Sequence, residues 1–204
     1  MIRAALRFAA VGALALALSG CISLLPKSKP AQLYRFGQSA PASAPGPSGG
    51  TVGVFLANGT FPGEAGGDRI LTITGGKAAF IAQSRWVAPA GVLFNEAVAT
   101  AFDADAGKVR LVSRGQQARS DYALRLDVRN FETRYESGPD SAPTVIVRIR
   151  AVLTNADLTK TAEQIFEART RAGGNRVGAI VAAYDQALGD VLSQVVAWTS
   201  ANAS

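Results

Sequence analysis

YALRLDVRNFETRY, residues 122–135, and TVIVRIRAVL, residues 144–153, decide the fold. In the first stretch Tyr122, Leu124, Leu126 and Val128 alternate with Arg125, Asp127 and Arg129, the period of a strand with one face on a core. Phe131, Thr133 and Tyr135 continue the pattern on the opposite parity. A β-bulge near Arg129-Asn130 adds the one residue needed to return both sets to the same face. In the second stretch Val145, Val147, Ile149, Ala151 and Leu153 form the apolar set, and Arg148 and Arg150 face water. SGPDSA, residues 137–142, makes the turn between them. With a third strand over roughly 161–170, this part of the chain reads as an antiparallel meander.

Working outward, Val52, Val54 and Leu56 predict a buried strand, and residues 57–68 a loop in which Asn58-Gly59-Thr60 marks a turn. Residues 70–74 and 78–83 flank Gly75-Gly76, a dipeptide suited to the positive φ angles of a tight hairpin. Pro89 suits the first turn of a helix, and Phe94, Val98, Ala101 and Phe102 give residues 89–103 one apolar face. Residues 109–112 form a short strand. A terminal helix begins around Asn175, a residue able to cap it, with Ile180, Tyr184, Leu188, Val191, Val195 and Trp198 as its core stripe. The expected class is α+β, an antiparallel or mixed β-sheet with two amphipathic helices packed on one face.

The N-terminus has a separate logic. Arg3 and Arg7 precede an apolar run from Phe8 to Leu18, the pattern of a secretory signal peptide and too short for a bilayer core that needs about 20 residues. Leu18-Ser19-Gly20-Cys21 resembles a bacterial lipobox. That resemblance implies cleavage between Gly20 and Cys21, a diacylglycerol thioether on Cys21, and an acyl chain such as palmitate on its new amino group. Several chains are what stable anchoring requires. Ile22 stands where an Asp would resemble the inner-membrane retention signal of enteric bacteria, so the expected site is the outer membrane, facing the periplasm. Three segments follow: a signal peptide over 1–20, a lipidated N-terminus and tether over 21–50 with a short strand at 32–36, and an α+β body over 51–201. Residues 37–50, GQSAPASAPGPSGG, have the composition of a flexible linker, which leaves open whether the 32–36 strand docks.

Composition closes off much chemistry. The chain of 204 residues has no His and one Cys. Histidine-based catalysis, ordinary zinc ligation, an internal disulfide and a CxxC site are therefore all unavailable. Gly76-Lys77 and Gly107-Lys108 fail as phosphate loops, because Leu71 and Phe102 occupy the first glycine position and Ala78 and Val109 replace the Ser/Thr. Asp103 and Asp105 hint at a calcium loop, but its twelfth position is Arg114 rather than Glu. No GxSxG occurs, and the sequence is silent on a Ser-Lys dyad. The acids look scattered, against a carboxylate-dependent hydrolase.

The 21 Lys and Arg against 15 Asp and Glu fall to 19 against 15 once residues 1–20 are removed, a net charge of +4. Arg125, Arg129, Arg134, Arg148 and Arg150 could line one meander face and meet nucleic acid, headgroups or an acidic protein. A solvated face interleaved with Asp127 and Glu132 is the favoured reading, and a periplasmic address disfavours nucleic acid. Trp86 and Trp198 read as core or rim anchors.

Gln32-Leu33-Tyr34, Ser84-Arg85-Trp86-Val87-Ala88-Pro89, Asp121 to Leu126 with Phe131-Glu132, and Ala183-Tyr184 through Trp198 occur, behind the lipobox, in the order seen in ABC-type transport auxiliary lipoproteins. The chain resembles this PqiC-like family over nearly all of its mature length. The resemblance implies a non-catalytic adaptor of an MCE-type, Mla-like or Pqi-like system that moves phospholipids or other hydrophobic molecules between the two membranes. Its partners would be an MCE-domain protein directly, the permease and ATPase subunits indirectly, and outer-membrane lipid through Cys21, with no cofactor and no nucleic acid. The alternatives are a periplasmic lipid carrier and an envelope-assembly lipoprotein unrelated to transport.

Overall fold

The computed structural model describes residues 30–38, 50–105, 107–112 and 120–203. Along them run β1 (Gln32–Tyr34), β2 (Val52–Ala57), β3 (Arg69–Thr74), β4 (Lys77–Trp86), α1 (Ala90–Ala104), β5 (Val109–Val112), β6 (Tyr122–Tyr135), β7 (Thr144–Asn155), β8 (Thr161–Arg171) and α2 (Val177–Asn202). The strands form one mixed sheet with β6 as its spine. β7 pairs antiparallel along one side of β6, and β8 pairs antiparallel with β7. The register steps from Val128 opposite Ile149 to Asn130 opposite Arg148, so Arg129 is the extra residue and the parity change in the sequence is the bulge itself.

The other side of β6 is shared. β2 runs parallel to its first residues, from Tyr122 to Arg125, and β3 runs parallel to its last, from Thr133 to Tyr135. Between them the loop after β2 crosses the strand, with the Val128 N–H donating to the Thr60 carbonyl at 2.8 Å. A Cβ on Gly59 would lie 1.8 Å from the Leu126 carbonyl oxygen, so only glycine admits this crossing. The predicted hairpin joins β3 to β4, with Gly75 and Gly76 at φ of 53° and 81°.

The inward residues of β6 and β7 meet one face of each helix in a single core. All six stripe residues of α2 pack there, Trp198 partly exposed and edge-on to Phe166 at 5.9 Å. At its centre is an aromatic cluster. Phe36 lies 4.8 Å from Trp86 and 5.0 Å from Phe131, and Tyr184 lies 5.3 Å from Trp86 and 4.7 Å from Phe131. Such contacts add to what burial alone contributes.

One question the sequence left open is answered, and one local expectation, at Asn175, is corrected. The N-terminal strand docks: β1 pairs parallel with Ser84–Trp86, and Phe36 is 2% exposed. Its docking is fixed by the Asp185 carboxylate, which accepts from the N–H groups of Gly37 and Gln38 at 2.7 and 3.0 Å, so the first two residues of the linker-like stretch belong to the body. Asn175 does not cap α2. Arg176 occupies the N-cap position, while Asn175 accepts from the Tyr135 hydroxyl at 2.9 Å and donates to the Pro139 carbonyl at 2.9 Å. The tie to the β6–β7 turn uses the side chain that would otherwise fold back onto the helix.

Candidate docking site

The first candidate surface is the outer face of β6, β7 and β8, where the sequence places Arg125, Arg129, Arg134, Arg148 and Arg150. The register sets Asp127 beside Arg150, Asn130 beside Arg148 and Glu132 beside Ile146. Across β7 the neighbours are Ile165, Glu167 and Arg169. Period-two geometry thus interleaves both signs. Arg150 grips Glu163 with two bonds of 2.5 and 2.6 Å, Arg148 lies 3.5 Å from Glu167, Arg134 pairs with Glu132, and Arg169 pairs with Glu136. The fork on Glu163 holds its carboxyl below the ordinary range, and raises Arg150 in turn. Glu136 is lowered first by the Thr144 hydroxyl and then by Arg169.

Most arginines of this face therefore meet a carboxylate within it, Arg129 at the bulge standing exposed. Asp127 and Glu132, expected among solvated residues, are buried, Asp127 to 4% exposure. For Asp127 the reason is the crossing loop: Thr60 donates to it from its N–H at 3.1 Å and its hydroxyl at 3.0 Å, with Arg125 at 3.3 Å and Arg150 at 3.6 Å on the other oxygen. Buried carboxylates are retained when paired and hydrogen-bonded in this way.

The second surface is a groove of about 570 Å³ between α1 and α2. Its apolar lining includes Ala97, Ala101, Leu188, Leu192 and Val196, and Asp105, Asp185 and Asp190 stand along it. Neither helix contains a Lys or Arg, whereas both carry acids, Glu96 and Asp103 in α1 and Asp185 and Asp190 in α2. Glu96 pairs with Arg35 at 2.6 Å, and Asp185 is the carboxylate that holds Gly37 and Gln38. The helix layer is acidic in a chain whose net charge is positive.

Leu18, Ser19, Gly20 and Cys21 lie outside the described residues. The residues that carry the family resemblance come together in the core: Tyr34, Trp86, Phe131 and Tyr184 pack in one cluster. Tyr184 is no catalytic phenol, since burial pushes its hydroxyl far above the ordinary range and it accepts from the Thr133 hydroxyl at 3.2 Å. Trp86, read from the sequence as a core or rim anchor, is a core anchor at 2% exposure. Sequence reasoning missed the groove, because each helix shows its stripe toward the sheet but not the gap it leaves beside its neighbour. The absence of Lys and Arg from both helices was the available signal.

Among the described residues no group of His, Cys, Asp and Glu could hold a metal ion, and no helix is long and apolar enough to cross a membrane.

No curated protein matches the sequence significantly. Among solved structures, the chain is similar to protein XCC0632 from Xanthomonas campestris, with 25% identity and a TM-score of 0.65 over 85% of this chain and 94% of that one. A second, described only as an uncharacterized protein, shares the fold at 11% identity and a TM-score of 0.64, covering 84% of this chain and all of that one. The family model for the ABC-type transport auxiliary lipoprotein component matches residues 34–196, from the docked N-terminal strand to the far end of the groove. With that match over most of its length, the chain belongs to the ABC-type transport auxiliary lipoprotein family, the non-catalytic auxiliary components of ABC-type transport systems that act with MCE-type subunits.

Proposed function

We propose that Cys21 anchors this protein in the outer membrane and that its α+β body docks an MCE-type subunit on the periplasmic side, as the adaptor of a system moving phospholipids or other hydrophobic molecules between the membranes. The observation that carries the reading is the order of its parts: Leu18-Ser19-Gly20-Cys21 lies just ahead of a body whose family match begins at residue 34. Residues 1–20 would be removed as a signal peptide, and residues 21–30 would lead from the anchor into the body. The ten steps from Cys21 to Ala31 span at most about 35 Å even when fully extended, so the adaptor would work close to the lipid surface. The division of labour leaves ATP hydrolysis to another subunit, in keeping with the failed phosphate-loop patterns at Gly76-Lys77 and Gly107-Lys108.

Metabolic labelling with palmitate and density-gradient separation of the membranes test the anchor. The wild-type chain should take up label and sediment with the outer membrane, and Cys21→Ala should lose both. Unchanged labelling in that variant, or sedimentation of the wild type with the inner membrane, would overturn the assignment. Copurification of the full chain from gently solubilised envelopes tests the docking half. An MCE-type subunit should come with it, and its absence under conditions that preserve the remaining transporter would refute the adaptor role.

A further inference from the structure

The groove between α1 and α2 invites a definite occupant. It follows α2 from Asp185 to Ala197, about 18 Å at the helical rise, or a little over three turns. Its floor is apolar, and small residues, Ala97, Ala101, Gly189 and Ser193, line its walls. Gly189 is the informative one. Glycine is the poorest non-proline residue for a helix interior, and among the described residues outside its own helix backbone nothing lies within 4 Å of where a Cβ at Gly189 would sit. The described residues give no packing reason for a glycine there, whereas an element lying in the groove would. The charge points the same way, because Asp105 and Asp190 border the groove and no cation occurs in either helix.

We infer that this groove receives an amphipathic helix of about three turns from a protein partner, its apolar face on Ala101, Ala104 and Ala197 above the buried Leu188 and Leu192, and its flanking Lys or Arg residues beside Asp105 and Asp190. Helix-in-groove recognition supplies the affinity through apolar anchors, and the acidic borders supply orientation and salt dependence. The inference rests on the docking reading above and narrows it to one surface and one kind of ligand.

A photoreactive benzophenone side chain placed at Ser193 of the full-length lipoprotein in intact cells tests it, with Ile165 on the outer sheet face, 50% exposed, as the comparison position. Illumination should join Ser193, and not Ile165, to a partner whose crosslinked peptide is an apolar helical segment bearing Lys or Arg. Gly189→Trp, which fills the groove from an open position, should cut that adduct about ten-fold or more, the size of effect expected at an interface centre. Asp190→Lys should cut it several-fold and flatten its salt dependence. Circular dichroism of both variants separates loss of docking from loss of fold.

Crosslinks from Ser193 only to a second copy of this chain, to residues 39–49 of the same chain, or to lipid would overturn the inference, as would no adduct at all. If an MCE-type subunit copurifies but crosslinks only from Ile165, the groove assignment falls and the adaptor role stands. If a basic helix of a protein outside the transport system crosslinks to Ser193, the groove assignment stands and the adaptor role falls.

Discussion

The inner and outer faces of β6, β7 and β8 are made by alternate residues of the same strands, yet they are held by different forces. Inward, Leu124, Leu126, Phe131, Val147 and Ile149 meet the helices with almost no exposure. Outward, Arg125, Arg134, Arg148, Arg150 and Arg169 each find a carboxylate. Burial of a large apolar side chain contributes about 1.5–3 kcal/mol, while exposed ion pairs contribute little. The difference teaches that the outer face is charged for solubility and register rather than stability. The pairing of most of its arginines also makes it a poor match for a polyanion, whereas the helix layer carries acids and no Lys or Arg.

The sharpest way to break the comparison is to remove an inner-face residue supplied from outside the sheet's main strands. Phe36→Ala should destabilise the fold by about 3–5 kcal/mol, the usual cost of an aromatic cavity, because the ring touches both Trp86 and Phe131. Denaturant unfolding at constant slope would show it. A loss below about 1 kcal/mol would mean that the N-terminal segment is only loosely attached. Asp127→Ala is the exception that the outer face should make to its own rule. Its carboxylate is buried and serves Thr60, Arg125 and Arg150 together, so the cost should approach about 3 kcal/mol. The loop between β2 and β3 should then lose its protection from amide exchange first.

The meander, its bulge at Arg129 and the glycine hairpin were legible because each is written in neighbouring residues. Parity, turn chemistry and helical spacing are local signals. What stayed illegible depends on contacts between distant residues. Phe36 precedes a Pro/Gly/Ser-rich stretch that reads as linker, and residues far along the chain hold it in place, among them Trp86, Phe131 and Asp185, the last 148 residues beyond Gly37. Asp127 has an outward parity that reads as solvated, and its burial comes from a loop near residue 60 folding across β6. Asn175 has the right chemistry for a cap and spends it on Tyr135 and Pro139 instead. The groove could not be read at all, since it arises from how two stripes are set side by side.

Tyr184→Phe sharpens the comparison from within the inner face. The hydroxyl is a single polar atom among aromatic rings, accepting from Thr133. Its removal leaves that buried Thr without its acceptor, and the net cost should be about 1 kcal/mol. Below the ordinary Tyr range the variant and the wild type should share one pH dependence; above it the wild type should lose stability that the variant keeps, because the unfolded phenol ionises while burial keeps the folded one protonated. The double change Tyr184→Phe with Thr133→Val should recover part of the loss, because it removes the hydroxyl that the single change leaves unpaired.

The smallest effect belongs to Glu163 on the outer face. Its carboxyl is lowered by the Arg150 fork, so the folded state favours the ionised form. A lowered carboxyl contributes stability that is present above the ordinary Glu value and lost as pH falls through the folded one. The wild-type melting curve should therefore carry a shallow acid limb just below the ordinary Glu range, and Glu163→Gln should flatten that limb while leaving the neutral-pH melting temperature nearly unchanged. Glu136, lowered by Thr144 and Arg169, titrates in the same direction and keeps part of the limb in the variant. A drop at neutral pH comparable to that of Asp127→Ala would contradict the division of the sheet into a face that stabilises and a face that is only matched, because it would place a surface pair on the same footing as a buried one.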